Sequence, residues 1–184
     1  MLYVVRHGET SWNALNKVLG RTDIPLDAKG RDQALELARS LRGAEIDAIL
    51  CSPLSRAVQT ADAVSGETGI GYSVDARLIE QDFGQYEGVD RYDPGFLEAK
   101  RRSFAGYPGA ESYQDMAARV IPLIKETEGR NILLVTHGGI CRIIRSCFED
   151  ISREELIKFS QENCELRMYD NTDMREAEDS CFFQ

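Results

Sequence analysis

The chain has 184 residues, 42% of them hydrophobic and 29% charged, with a net charge of −9. It is long enough for one domain with a sizeable core, and its acidic balance argues against a nucleic-acid or anionic-membrane partner. No apolar run approaches the roughly 18 residues of a membrane span, and Met1 leads straight into an apolar strand rather than the basic start of a signal peptide; the expected location is the cytoplasm.

Leu2-Tyr3-Val4-Val5 reads as a buried parallel strand that stops at Arg6-His7-Gly8. Ser11 to Leu26, carrying Gly20, Asp23 and Pro25, reads as an ordered loop with at most a helical turn. Asp27 is the expected N-cap of a helix whose Ala34, Leu37, Ala38 and Leu41 share one face, closed by Arg42-Gly43. Ile46 to Leu50 reads as a second strand interrupted by Asp47. Ser52, with Pro53 at the first helical position, is the expected start of the next helix, which carries Ala57, Ala61 and Val64 inward and Arg56 in its first turn.

Tyr72 to Val74 is a short strand, and residues 78–88 form a shaped loop. Residues 89–109, polar and broken by glycine and proline, read as a lid-like excursion with a helical patch from Phe96 to Phe104. Ser112 and Asp115 form a capping box for a helix that Pro122 should kink or interrupt. Ile132 to Val135 is a second wholly apolar strand, ending in Thr136-His137-Gly138-Gly139. A helix follows on Ile140, Ile143, Ile144 and Cys147, then a short one capped by Ser152 and Glu155, and a late strand from Cys164 to Tyr169. Residues 170–173 read as a turn, and the last ten as an edge strand or a frayed end. The alternation predicts a three-layer α/β/α sandwich, with a mostly parallel sheet and helices on both faces, in one domain over residues 1–184. The five cysteines, 51, 141, 147, 164 and 181, are odd in number and scattered, and read as reduced thiols.

Both histidines of the chain terminate apolar strands, where ligands sit in open α/β sheets. Arg6, His7, Arg56 and His137, with Asn13 and Glu80 on adjoining loops, converge on that edge. Guanidinium forks match phosphate oxygens bidentately. Phosphate monoesters hydrolyse so slowly that catalysis must supply on the order of 20 kcal/mol. With no metal-ligand cluster in the sequence, the nucleophile and cations must come from the protein. An imidazole can attack phosphorus in line, and a carboxylic acid can protonate the departing oxygen. For that attack His7 should be neutral, helped by Arg6 and Arg56, whereas His137 can carry a proton against the phosphate. Gly8 and Gly138 should allow close backbone approach.

Arg6-His7-Gly8-Glu9-Thr10 resembles the signature of the histidine phosphatase superfamily, the phosphoglycerate mutase-like proteins. The resemblance continues in order through Asn13, Gly20-Arg21-Thr22-Asp23, the segment Ser52 to Ala61, Glu80, Phe83-Gly84, Glu87-Gly88, Gly109-Ala110-Glu111-Ser112 and His137-Gly138. It implies that His7 becomes phosphorylated, that Arg6, Arg56 and His137 hold the phosphoryl group, and that Glu80 is the acid and then the base. It assigns substrate or phosphate contacts to Asn13, Arg21, Thr22 and Gly138. It implies no metal and no cofactor, a small phosphorylated substrate, and a monomer or homodimer. The excursion between Gly88 and Glu111 is shorter than in the mutases. Water should therefore reach the phosphohistidine, as in small bacterial phosphatases of the α-ribazole-phosphate and broad-specificity groups; the alternative is a cofactor-dependent phosphoglycerate mutase. Leu19 replaces a glutamine common in relatives. Cys51, where serine or alanine is common, is either a redox-sensitive thiol or a plain strand-end residue. Arg101-Arg102 are either a substrate-binding pair, as in the mutases, or a solvated helix face; Arg142, like Arg21, is near the expected site or a surface charge.

Overall fold

The structure, a computed structural model, describes residues 1–102 and 109–175. Five strands, β1 (Leu2–Arg6), β2 (Ala48–Cys51), β3 (Tyr72–Val74), β4 (Ile132–Thr136) and β5 (Leu166–Tyr169), form one sheet in the order β3-β2-β4-β1-β5. The first four are parallel, and β5 joins β1 antiparallel. The helices are α1 (Ser11–Ala14), α2 (Ala28–Ser40), α3 (Ser55–Thr68), α4 (Pro94–Arg101), α5 (Tyr113–Glu126), α6 (Gly138–Ser146) and α7 (Arg153–Lys158).

Side-chain alternation along the strands splits the core into two layers. Leu2, Val4, Ile132 and Leu134 pack against Met116 and Val120 of α5 and Ile140 and Ile144 of α6. Val5, Leu133, Val135 and Ile49 face the other way, onto Leu37 and Ala38 of α2 and Ala57, Ala61 and Val64 of α3. With both faces covered, all five β4 residues are buried, which is why that strand is continuously apolar rather than alternating. The expected α/β/α architecture is what the chain forms.

The expected start of α3 is corrected. The helix begins at Ser55 behind Leu54, which gives it no side-chain cap. A residue before proline is pushed toward extended backbone, so Ser52-Pro53 continues the strand exit instead. Asp23 supplies the missing acceptor from a distant loop, taking the Ser55 N–H (2.8 Å) and hydroxyl (2.7 Å). Nor does Pro122 interrupt its helix: α5 runs through it to Glu126. β2 starts at Ala48, because the Asp47 amide and carboxylate are taken by Asn131 beside it. The helical patch of the excursion is α4, capped by Asp93 (2.9 Å to the Phe96 N–H); its proposed end near Phe104 and the chain's last residues, 176–184, lie outside the described residues. Among the described residues no helix is long and apolar enough to cross a membrane.

Candidate active site

β1 and β4 pair with Arg6 opposite Thr136, and the His7 N–H donates to the Thr136 carbonyl (2.9 Å). Each histidine is the first residue past its strand. The register therefore brings the rings together, centroids 5.1 Å apart and tilted by 57°.

The two rings are held in opposite tautomers. His7 Nδ1 lies 2.7 Å from the Gly8 carbonyl, which can only accept, so Nδ1 carries the proton and Nε2 the lone pair. At His137 the Arg56 Nε–H points at Nδ1 (3.3 Å) and Ser52 Oγ lies 2.7 Å from Nε2. Arginine can only donate, so here Nδ1 accepts and Nε2–H donates to Ser52. Both rings are held neutral, well below the usual histidine range. For His7 burial is the largest cause, then Arg56 and Arg6; for His137 it is burial, Arg56 and His7. The neutral His7 matches expectation, although burial outweighs the arginines. His137, expected to be able to carry a proton against a phosphate, is neutral in this arrangement because its ring is sealed among cations.

Arg56 is fully buried. Its Nη groups donate to the carbonyls of Thr22 (3.0 Å) and Gly20 (2.6 Å), and burial draws its pKa down to about 10. Glu87 shapes that loop, its carboxylate accepting from the amides of Gly20 (3.1 Å), Arg21 (2.9 Å) and Thr22 (3.3 Å). Arg6 Nη1 donates to the Gln161 carbonyl (2.7 Å), while its Nε is buried without a partner.

In front of these groups opens a cavity, partly continuous with solvent, lined by Arg6, His7, Asn13, Glu80 and Gly138 among others. Asn13 Oδ1 is taken by the Thr10 backbone and hydroxyl in a capping box, which leaves the Asn13 amide N–H groups for the cavity. Glu80 is buried at the N-terminus of α6. The Gly139 N–H lies 3.1 and 3.0 Å from its two oxygens, and the Gln81 N–H 2.8 Å from Oε1.

Not every expected residue reaches the cavity. Arg56 and His137 stand behind its wall, both fully buried. Arg21 turns to Asp82 (3.5 Å) and Glu111 (3.4 Å), and Thr22 contributes its carbonyl to Arg56; neither lines the cavity. Gly138 has room for a side chain, whereas a Cβ on Gly139 would overlap Glu80 Oε1 and one on Gly8 would overlap the Gly30 carbonyl. The tight approaches are thus at Gly139 and Gly8, and Gly8 meets backbone rather than ligand. Leu19 forms an apolar patch of the lining. Cys51 is buried with its thiol pushed up to about 11, the bland one of its two readings. Arg101 and Arg102 pair with Glu98 and are exposed, the solvated helix face.

Several contributors escape sequence reasoning. Ser52 orients His137 rather than capping a helix. Asn163 donates to the His7 carbonyl (2.7 Å) and Gln161 to the Val4 carbonyl (3.1 Å), so residues 161–163 brace the end of β1; nothing local in that polar stretch signals it. Glu87 stands in the Glu-Gly motif, which was its available signal. Arg91 and Lys100 line the cavity unannounced, and Arg142 proves to be a lining residue. Among the described residues no cluster of His, Cys, Asp and Glu could hold a metal.

Known proteins are similar to this chain in sequence and in fold. A 2,3-bisphosphoglycerate-dependent phosphoglycerate mutase of Cytophaga hutchinsonii is 30% identical over 92% of this chain and 87% of its own. A probable phosphoglycerate mutase of Salmonella choleraesuis is 34% identical over 74% and 69%. In structure, a mycobacterial glucosyl-3-phosphoglycerate phosphatase in complex with VO3 superposes with a TM-score of 0.80 at 29% identity, covering 90% of each chain. A protein of Thermus thermophilus gives 0.67 at 35% identity, over 79% of this chain and 84% of its own. The histidine phosphatase superfamily (branch 1) matches residues 2–180, and the chain belongs to that superfamily.

Proposed function

We propose that the protein is a metal-independent phosphomonoesterase that acts on a small phosphorylated metabolite through a phosphohistidine on His7. The observation that carries this reading is the His7 ring, neutral, with Nδ1–H spent on Gly8, so that the Nε2 lone pair belongs to a ring lining the cavity. Nε2 attacks phosphorus, forming a P–N bond as the ester P–O bond breaks; protonated Glu80 gives its proton to the departing oxygen. Water then attacks the phosphohistidine, its proton passes to the Glu80 carboxylate, and the P–N electron pair returns to Nε2. Arg6, with its unpartnered Nε, and the Asn13 amide bind phosphoryl oxygens. Arg56 supplies field from behind, and the neutral His137 fixes it there by accepting its Nε–H while donating Nε2–H to Ser52. A structural relative holding VO3 and another complex holding inorganic phosphate support a phosphoryl pocket.

Phosphoglycerate mutase relatives favour a second reading, transfer of the phosphoryl group back to a substrate. The test is release of phosphate from p-nitrophenyl phosphate in the presence of EDTA, with acid-quenched samples examined for an acid-labile phosphoenzyme. Turnover and the labelled intermediate are expected, and His7→Ala should lose about 10⁴-fold or more in rate together with the intermediate. A phosphoenzyme that persists in His7→Ala overturns the assignment. Isomerisation of phosphoglycerate primed by a bisphosphate, with no phosphate released, establishes the second reading.

A further inference from the structure

The tautomer of His7 rests on the Gly8 carbonyl, which takes the Nδ1 proton at 2.7 Å. Glycine is the residue least able to hold a carbonyl in place, because without a side chain both of its backbone dihedrals are soft. If that carbonyl turned away, nothing at Nδ1 would oppose the other tautomer, in which Nε2 carries the proton. Attack through Nε2 would then be blocked. The orientation of Gly8 must therefore be fixed from outside its own segment.

Two peptide planes flank Gly8, and each is gripped. The plane joining His7 to Gly8 is held at both ends: Asn163 donates to its carbonyl (2.7 Å), and its N–H donates to Thr60 Oγ1 (3.1 Å). Thr60 is fully buried, and its hydroxyl proton goes to the Arg56 carbonyl (2.8 Å), so a lone pair faces Gly8. The plane joining Gly8 to Glu9 is held at its N–H, which donates to Gln33 Oε1 of α2 (2.8 Å). In a trans peptide the N–H and C=O point in opposite directions. Pinning the Glu9 N–H on Gln33 thus aims the Gly8 carbonyl away from α2 and back at His7. The Gly30 carbonyl of the same helix fills the space where a Gly8 side chain would stand, which stops the segment from sliding toward α2. On α3, Thr60 stands one turn beyond Arg56, whose Nε–H sets the tautomer of His137.

We infer that Gln33 and Thr60 are positioning residues: from α2 and α3 they hold the two peptide planes around Gly8 and so keep the His7 lone pair on Nε2. Neither lines the cavity, so each acts through the backbone. The consequence for the rate rests on the phosphatase reading, whereas the consequence for the tautomer stands without it.

Nitrogen NMR of the isotope-labelled imidazoles tests this, because it distinguishes a protonated ring nitrogen from one with a free lone pair. The chain has only two histidines, so His7→Gln and His137→Gln assign both rings. The wild-type protein is expected to carry the proton on Nδ1 of His7 and on Nε2 of His137. Gln33→Leu removes the acceptor and should move about half or more of His7 to the Nε2–H form, with His137 unmoved as the internal reference. Gln33→Glu keeps an acceptor oxygen and should keep the wild-type tautomer. Thr60→Val and Thr60→Ser repeat the contrast from α3. With p-nitrophenyl phosphate, kcat/KM should fall at least by the factor by which the Nε2 lone-pair population falls, about twofold or more; a mere loss of packing has no reason to follow that population. A His7 tautomer unmoved in both Gln33→Leu and Thr60→Val overturns the inference whatever happens to the rate. A shift of both rings together in Gln33→Leu, or a wild-type His7 protonated on Nε2, overturns it as well. A shifted tautomer with an unchanged rate supports the brace and overturns His7 as the nucleophile. If no ester is hydrolysed, the phosphatase reading fails by itself and the tautomers still decide the inference.

Discussion

The floor of the cavity and its rim are built differently from the same residue types. At the floor His7 has a ring nitrogen committed to a partner, and directly behind it, counted here with the floor, Arg56 makes three hydrogen bonds and His137 is held by Ser52. At the rim, Arg91 and Arg142 are each tethered through a single Nε. A preorganised group spends nothing on reorganisation when charge develops and so acts on the transition state. A tethered group that adjusts to its ligand acts on binding. Floor substitutions should therefore lower kcat, and rim substitutions should raise KM.

The sharpest break in that contrast comes from Glu80, which touches the cavity yet is held like a floor residue. Glu80→Gln should lower kcat by about 10²- to 10⁴-fold for alkyl phosphates and much less for aryl phosphates, whose leaving oxygen needs no proton. Steady-state kinetics across a leaving-group series measures it, and an equal loss on every ester refutes the acid role. A smaller effect is expected at Ser52. Ser52→Ala leaves the buried His137 Nε2–H unpaired, a penalty of about 1–3 kcal/mol, and kcat should fall about tenfold with KM nearly unchanged. A change confined to KM would move His137 from the floor to the rim.

The gentlest probe is stability against pH. Both imidazoles are depressed in the folded chain, so below about pH 6.5 the unfolded chain binds more protons than the folded one. The stability present above that pH should then decline on acidification, by up to about 1.4 kcal/mol per pH unit for each histidine. Thermal unfolding between pH 7.5 and 5 reads the slope, and His7→Gln with His137→Gln should flatten it. An unchanged slope would mean that the rings are not held neutral.

Much of this was legible in the residues themselves. The apolar runs at β1 and β4, the face of α2 and the capping boxes at Ser112 and Ser152 are local patterns, and they form as read. Where reading failed, a distant partner had replaced a local one. Ser52 has the look of an N-cap, but Asp23 holds Ser55 at the start of α3 and Ser52 is left for His137. Arg21 carries a family position, yet Asp82 and Glu111 draw it aside.

By itself the sequence determined the strands, the helices and the order of polar residues along their ends, because period, capping and turn chemistry act over a few residues. Only the tertiary structure decided which arginines face the cavity, which tautomer each histidine holds, and that Gly139 rather than Gly138 must lack a side chain. Those outcomes depend on hydrogen-bond partners far apart in the chain, 85 residues between Ser52 and His137 and 155 between Arg6 and Gln161, and on burial that exists only once the sheet has closed.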